Sequence, residues 1–351
     1  MLILGLGMVG PFGPGVAAWE SALDRGWQPP SQIGSGAIAR LAYRVDFEQV
    51  PDKALLRKLR RADKFSKMTV LAAAEALADS GLDETARGRV GIILATALGP
   101  HVTTFEFLDG VLDYGEAAAS PTAFSHSVHN AAVSYVTSSL AIQGPTLTVT
   151  RFAFAFQEAL RLARCWLDQG YCDHVLVGMA EEYGTVLGYL ADAKRGTAED
   201  GRIRPFALAQ ARPVPGEGAA FFMLGRDGAK AYARIDRVDI GTAAQPAPAM
   251  DAILLEANGL VSESASLAAL PAHTPVTSYT PLVGSLFTGS AFSLAAGALM
   301  LKRQRLFAAP VQENPHALPL VAVSGPAALK TIGSLEGDCR GRQAFISLTR
   351  P

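Results

Sequence analysis

The chain has 351 residues, 49% of them apolar and 18% charged, with a formal net charge of −1. Such a composition describes a folded protein with a large core and excludes both a disordered polyelectrolyte and a chain whose main partner is nucleic acid. Cys165, Cys172 and Cys339 are too few and too scattered for a disulfide framework or a metal centre. No apolar run approaches the about 20 residues of a membrane span, and no basic-then-apolar leader is evident. A cytoplasmic protein is expected, with no metal, no cofactor and no membrane insertion.

Residues 1–4 read as a strand, and Gly5, Gly7 and Gly10 follow it as G-x-G-x-x-G. This is the dinucleotide fingerprint and opens one alternative, a nicotinamide- or flavin-dependent oxidoreductase. Its context is wrong, because Pro11, Gly13 and Pro14 follow where a helix should open. No second strand ends in an acid about 20 residues on; Glu20 and Asp24 sit in a helical run instead. Residues 25–50 read as irregular. Residues 51–82 read as mostly helical, with Asp63 as a cap and Gly81 as a stop. Lys53, Arg57, Lys58, Arg60, Arg61, Lys64 and Lys67 form a basic cluster there, either a solvated face or a docking face for an acidic partner.

A strand is predicted over 89–95, a loop with helical patches over 96–120, and a helix over 128–142. Residues 144–166 then read as a buried strand running directly into a buried helix, joined near Arg151–Phe154. Further on come a strand at 174–179, a polar loop at 195–215, and Gly216-Glu217-Gly218 leading into another strand. The second half offers strands at 233–243, 251–259 and 318–325, a helix at 290–304 and a terminal strand from 343. This alternation predicts an α/β fold in two related halves, residues 1–226 and 227–351.

The join after residue 150 organises the chain. A strand-to-helix turn presents free N–H groups and the positive end of the helix dipole, which favour an anion or an activated nucleophile. Here that place holds Arg151, Phe152, Ala153 and Phe154, none of which can attack a thioester.

The ordered set LILGLGMVGPFGPG, ADKFSKMTVLAAAEALADSGL, ASPTAFSHSVHNAAVSYVTSSLAIQGP, LTVT plus helix, DHVLVGMAEE, RPFALAQARPVPGEGAAFFMLG and PLVGSLFTGSAFSLAAGALMLKR resembles the β-ketoacyl-ACP synthase family of the thiolase fold. The resemblance implies a five-layer αβαβα architecture with two pseudo-repeated halves and a dimer formed partly by the LTVT strands. It also implies a thioester nucleophile, a cysteine, at the start of the central helix, supported by two histidines and a lysine. Carried over, the cysteine falls on Ala153, the first histidine on Asn258 in Glu256-Ala257-Asn258-Gly259, the second on Ser285, and the lysine on Thr280. A glycine-rich loop corresponds to residues 339–343.

Loss of the whole set resembles the chain-length-factor subunits, ketosynthase-like partners that lack the cysteine and pair with a competent ketosynthase, most like those of aryl-polyene and type II polyketide systems. Many carry a glutamine where this chain has Ala153. The resemblance implies a non-catalytic subunit of a ketosynthase heterodimer served by an acyl carrier protein. Phe152, Phe154, Phe156 and Tyr135 are expected to fill the acyl tunnel. Glu217, between Gly216 and Gly218, is expected to hold two loops together. Arg57, Arg60, Arg61 and Lys64 are expected to dock the carrier. The alternatives are a stand-alone acyltransferase or malonyl-ACP decarboxylase using Asn258, Ser285 and the helix N-terminus to polarise a carbonyl, and a scaffold homodimer for acylated carrier.

Overall fold

The structure, a computed structural model, describes residues 1–34, 39–207, 211–228, 230–242, 247–260 and 269–351. Its main strands are β1 (Leu2–Gly10), β2 (Val90–Thr96), β3 (Thr146–Thr150), β4 (His174–Glu181), β5 (Gly218–Gly225), β6 (Ala233–Thr242), β7 (Ala252–Glu256), β8 (Val276–Thr277), β9 (Thr331–Gly337) and β10 (Arg342–Thr349). The helices are α1 (Val16–Arg25), α2 (Lys53–Lys58), α3 (Lys64–Ser80), α4 (His101–Tyr114), α5 (Pro121–Ser127), α6 (Ala131–Leu140), α7 (Ala155–Asp168), α8 (Thr185–Arg195) and α9 (Ser290–Arg303).

The strands lie in the order β8-β7-β9-β10-β6-β1-β5-β4-β2-β3, with Gly13–Pro14 adding a short strand beside β1. Residues 2–225 supply one run and residues 233–349 the other, and the two runs meet where Leu2 and Ile3 pair with Arg234 and Ala233. Each run repeats one pattern. In the first, β2 is parallel to β3 and β4, then β4 pairs β5 and β5 pairs β1 antiparallel. In the second, β7 is parallel to β8 and β9, then β9 pairs β10 and β10 pairs β6 antiparallel. The helices α7 and α9 follow the equivalent strands β3 and β8. This is the thiolase-like arrangement with two pseudo-repeated halves.

Burial explains the layering. Every residue from Ser290 to Leu301 of α9 is buried, so its apolar and small residues face neighbours all round, as a central layer requires. One cluster joins α7, α9 and strands of both runs through Phe156, Leu160, Phe222, Leu254, Phe292 and Leu299. A second packs α3 and α6 on the outer face of the first run. On the outer face of the second run Ile253, Leu255, Leu335 and Phe345 are covered, among the described residues, by irregular segments carrying Ala309, Leu318 and Leu320.

Three sequence expectations change. Residues 101–114 form a helix rather than a loop, because an apolar face on it meets α5, with Phe107 and Phe124 ring centroids 5.5 Å apart. The strand expected at 318–325 is mostly irregular; its apolar run serves as cover, and Leu320 forms only an isolated bridge to Val276. The strand falls at 331–337 instead, whose Gly333 and Gly337 hid it from a propensity reading.

The G-x-G-x-x-G reading is overturned. Gly5, Gly7 and Gly10 all lie inside β1 rather than in a loop. A methyl group at Gly5 would stand 2.3 Å from the Ala76 carbonyl oxygen, and one at Gly7 2.1 Å from that of Ala72. The glycines let α3 lie directly on the strand. Two carboxylates of α3 occupy the space a pyrophosphate would need: Asp79 accepts the Leu6 N–H, and Glu75 accepts those of Met8 and Val16.

Candidate functional site

Strand β3 leads through residues 151–154 into α7. The helix cap is Phe154, one residue beyond Ala153, with left-handed backbone angles of φ 61° and ψ 24°. An aromatic residue there carries strain that its packing must offset. Phe154 is almost wholly buried, and the Arg342 guanidinium lies 5.5 Å from its ring. The loop at 339–343 therefore does reach this turn. It is a hairpin between β9 and β10, held by Asp338, which accepts the N–H groups of Arg340 and Arg342 and pairs with the Arg342 side chain.

The Glu336 carboxyl lies beside the N-terminus of α7, where the Phe154 backbone favours its charged form, and it accepts Gln157 Nε2 at 2.6 Å. Gln157 donates further to Ser290. Glu256 lies in the same buried region and accepts Ser293 at 2.9 Å and Thr280 at 3.2 Å. Burial pushes Glu256 up to about 8, helped by the charge of Glu336, and pushes Glu336 up to about 7.

Asn258 and Ser285 are brought together. Ser285 Oγ donates to the Asn258 carbonyl at 2.5 Å and accepts the Val214 N–H at 3.0 Å. Asn258 donates to the Leu286 carbonyl and accepts the Leu260 N–H. Both side chains spend donors on main-chain carbonyls of the second half, and the Val214 N–H joins Ser285 to the first. Thr280 is buried and turned to Glu256.

The phenylalanines do not converge on one spot. Phe156 packs into the core against Phe222. Phe152 is 66% exposed and touches only Phe287 among the aromatic rings. Local backbone separates them, since Phe152 lies in the bend before the helix, Phe154 is its left-handed cap and Phe156 stands inside α7. Tyr135 sits on α6 beside α3 and bonds His126 Nε2 at 2.9 Å, so it belongs to the outer layer rather than to this turn.

Glu217 is fully buried and accepts the N–H groups of Val45 and Tyr183 and the Lys64 ammonium at 2.5 Å. It thus ties residues 45 and 183 to the turn before β5. Gly216 and Gly218 flank it where the chain passes close to Val283 and Val9; methyl groups there would stand 2.2 and 2.8 Å from those carbonyl oxygens. Lys64 corrects the reading of the basic cluster. It turns inward to Glu217 and to the Tyr183 carbonyl, because a fully buried carboxylate needs a cation more than the surface does. Arg57, Arg60 and Arg61 remain exposed.

A cavity opens beside Ser285. It encloses about 500 Å³ counting its mouth, and its walls include Glu181, Glu182, Tyr183, Gly184, Pro215 and Phe287. Glu181 accepts the Ala97 N–H and the Thr288 and Thr96 hydroxyls, and burial raises it to about 7. Glu182 accepts the Val102 N–H at the start of α4, and burial raises it to about 8. His101 Nδ1 lies 3.9 Å from Glu182 Oε1. Among the described residues neither of its ring nitrogens has a hydrogen-bond partner, and burial lowers it to about 4. Sequence reading missed Glu181, Glu182, Gln157 and Glu336 as site residues. The pair Glu181-Glu182 at the end of an apolar strand was the one available signal.

The profile of the β-ketoacyl synthase N-terminal domain matches residues 17–229, and the chain belongs to that family. It is 27% identical over 240 residues to 3-oxoacyl-[acyl-carrier-protein] synthase 2 of Staphylococcus aureus (strain COL), covering 64% of this chain and 57% of that protein. It is equally 27% identical over 244 residues to a putative polyketide β-ketoacyl synthase 1 of Streptomyces halstedii, covering 64% and 57%. Aligned in this way, the chain spans just over half the length of those curated relatives. Among solved structures, the ishigamide ketosynthase/chain length factor superposes with a TM-score of 0.82 at 18% identity, covering 100% of this chain and 98% of that one. A β-ketoacyl synthase from Burkholderia phymatum STM815 gives 0.81 at 18%, covering 100% and 99%. No helix among the described residues is long and apolar enough to cross a membrane.

Proposed function

We propose that this chain is a non-catalytic, chain-length-factor-like partner of a competent β-ketoacyl synthase. The observation that carries the proposal is the turn at 151–154. Ala153 stands where the family resemblance places the cysteine, Phe154 caps the helix, and the Glu336 carboxyl lies beside the helix N-terminus. A subunit without a nucleophile contributes through assembly, and a surface suited to assembly is present. Among the described residues strand β3 pairs only with β2, leaving its other edge open, and an open edge is a template for pairing with another chain. Leu147 on that strand is exposed, and Phe152, Phe124 and Leu112 are exposed on neighbouring segments. A solved neighbour of this fold is itself a ketosynthase/chain length factor. Arg57, Arg60 and Arg61 offer an acidic carrier protein a cationic face.

The test is co-expression with a candidate ketosynthase, followed by sizing and a condensation assay. A one-to-one complex is expected that condenses acyl and malonyl carrier thioesters, while this chain alone neither takes an acyl group nor releases carbon dioxide. Leu147→Asp on the open edge should weaken the complex at least tenfold without unfolding the chain. A chain that remains monomeric beside every ketosynthase offered, or that is acylated on its own, would overturn the reading. The alternative of a stand-alone enzyme polarising a carbonyl through Asn258 and Ser285 is disfavoured, because both side chains spend donors on main-chain carbonyls.

A further inference from the structure

A second cleft lies between the end of α1, the segment 26–31 and residues 43–49. It encloses about 750 Å³ counting its mouth, within the size range of small-molecule sites. It shares no lining residue with the cavity beside Ser285, and none of Ala153, Asn258, Thr280 and Ser285 lines it. Ala22 and Leu282, both buried, supply apolar wall. Phe12 adds an aromatic face and is held in place by Trp19 and Phe292, whose ring centroids lie 4.8 and 5.8 Å away.

Arg25 and Arg44 also line this cleft, and among the described residues no carboxylate does. The acids close to them in sequence are engaged elsewhere. Asp24 pairs with Arg305 at 2.8 Å, and Asp46 accepts the Glu48 N–H and the Gln49 side-chain amide. Arg25, in the last turn of α1, makes no ion pair among the described residues. The Arg44 side chain is 46% exposed and stands 3.8 Å from Glu217, whose close partner is Lys64 at 2.5 Å. The Tyr43 hydroxyl donates to the Gln28 carbonyl at 3.1 Å, so the two segments that carry the arginines are tied together.

Two like charges on one cleft repel each other until an anion joins them. A guanidinium fork matches the paired oxygens of a carboxylate or a phosphate, and the apolar wall beside it suits a hydrocarbon body. We infer that this cleft binds a small organic anion, an apolar or aromatic body ending in a carboxylate or a phosphate, with Arg25 and Arg44 holding the charged end. The inference does not rest on the assembly reading and stands or falls separately from it.

The purified chain is titrated at neutral pH and low salt with benzoate, phenyl phosphate and uncharged benzamide, and binding is followed by ligand-observed NMR. At least one of the two anions should bind about tenfold more tightly than benzamide, and the tighter anion identifies the terminal group. Added salt should weaken the anion and leave the amide unchanged. Arg25→Met and Arg44→Met should each weaken the anion about fivefold, and the double variant should bring it to the level of benzamide. Thermal melts confirm that the variants are folded. Arg25 does not pair with Glu217, so Arg25→Met decides the question if Arg44→Met fails to fold. No saturable binding of either anion, benzamide binding as tightly as both, or anion binding unchanged in Arg25→Met overturns the inference.

Discussion

Two buried acidic centres in this molecule solve the same problem in opposite ways. Glu217 is wholly buried yet ionic, with Lys64 at 2.5 Å and two backbone N–H groups around it. Glu256 and Glu336 are also buried but, among the described residues, accept from the neutral donors of Ser293, Thr280 and Gln157. The cations at this turn are committed elsewhere, Arg342 to Asp338 at 2.7 Å and Arg151 to Glu158 at 2.9 Å. The first centre fixes a charge and fastens loops. In the second, burial favours the neutral carboxyl. Burial alone therefore does not decide the state of a carboxyl; the availability of a cation does.

Breaking the first centre should have the largest effect. Lys64→Met leaves Glu217 buried without its close cation and should cost about 3–5 kcal/mol in denaturant unfolding. The double variant Lys64→Met with Glu217→Gln should recover most of that loss. Equal destabilisation of the single and double variants would show that Lys64 acts through packing instead.

The second centre should appear as pH dependence. Glu256 and Glu336 ionise near 4.5 in the unfolded chain but only at about 8 and about 7 in the fold. Their stabilising contribution is complete below pH 4.5 and is lost as pH rises through 7 to 8. Glu181 and Glu182 act with the same sign. Stability should fall by several kcal/mol between pH 6 and pH 9, at about 1.4 kcal/mol per pKa unit for each such group, and Glu256→Gln should flatten the profile. His101 has the opposite sign, since its folded value is about 4 against 6.5, so its contribution is lost as pH falls from 6.5 towards 4. A profile that rises from pH 6 to pH 9 would contradict the assignment.

The smallest effect is expected at the rim between the centres. Arg342→Leu removes a partly exposed pair with Asp338 and the contact over Phe154. It should cost about 0.5–1 kcal/mol, and it should leave the pH profile unchanged because Arg342 does not neutralise Glu336.

Much of the fold was legible in the chain. Alternating apolar strands, the small-residue run of α9, the Asp63 cap and the Gly81 stop follow from local propensity and periodicity. The absence of a nucleophile at the turn was equally legible, because residue identity is a property of sequence. The glycines of β1 misled as a motif, because only the approach of α3 reveals what their missing side chains allow. The strand at 331–337 was hidden, since its stability comes from the neighbours β7 and β10 rather than from its own residues.

The site divides along the same line. Sequence by itself determined that residues 151–154 hold Arg, Phe, Ala and Phe, and that Asn258, Thr280 and Ser285 stand where the family resemblance places histidine and lysine. Tertiary structure decided that Phe154 rather than Ala153 caps the helix, that Lys64 faces inward, and that Glu336 lies beside the helix N-terminus bonded to Gln157. It also decided that Glu181 and Glu182 line a cavity with no lysine or arginine among the described residues. The reason is physical. A residue's chemical type is fixed along the chain, but its charge state and its partners depend on desolvation and on groups more than a hundred residues away.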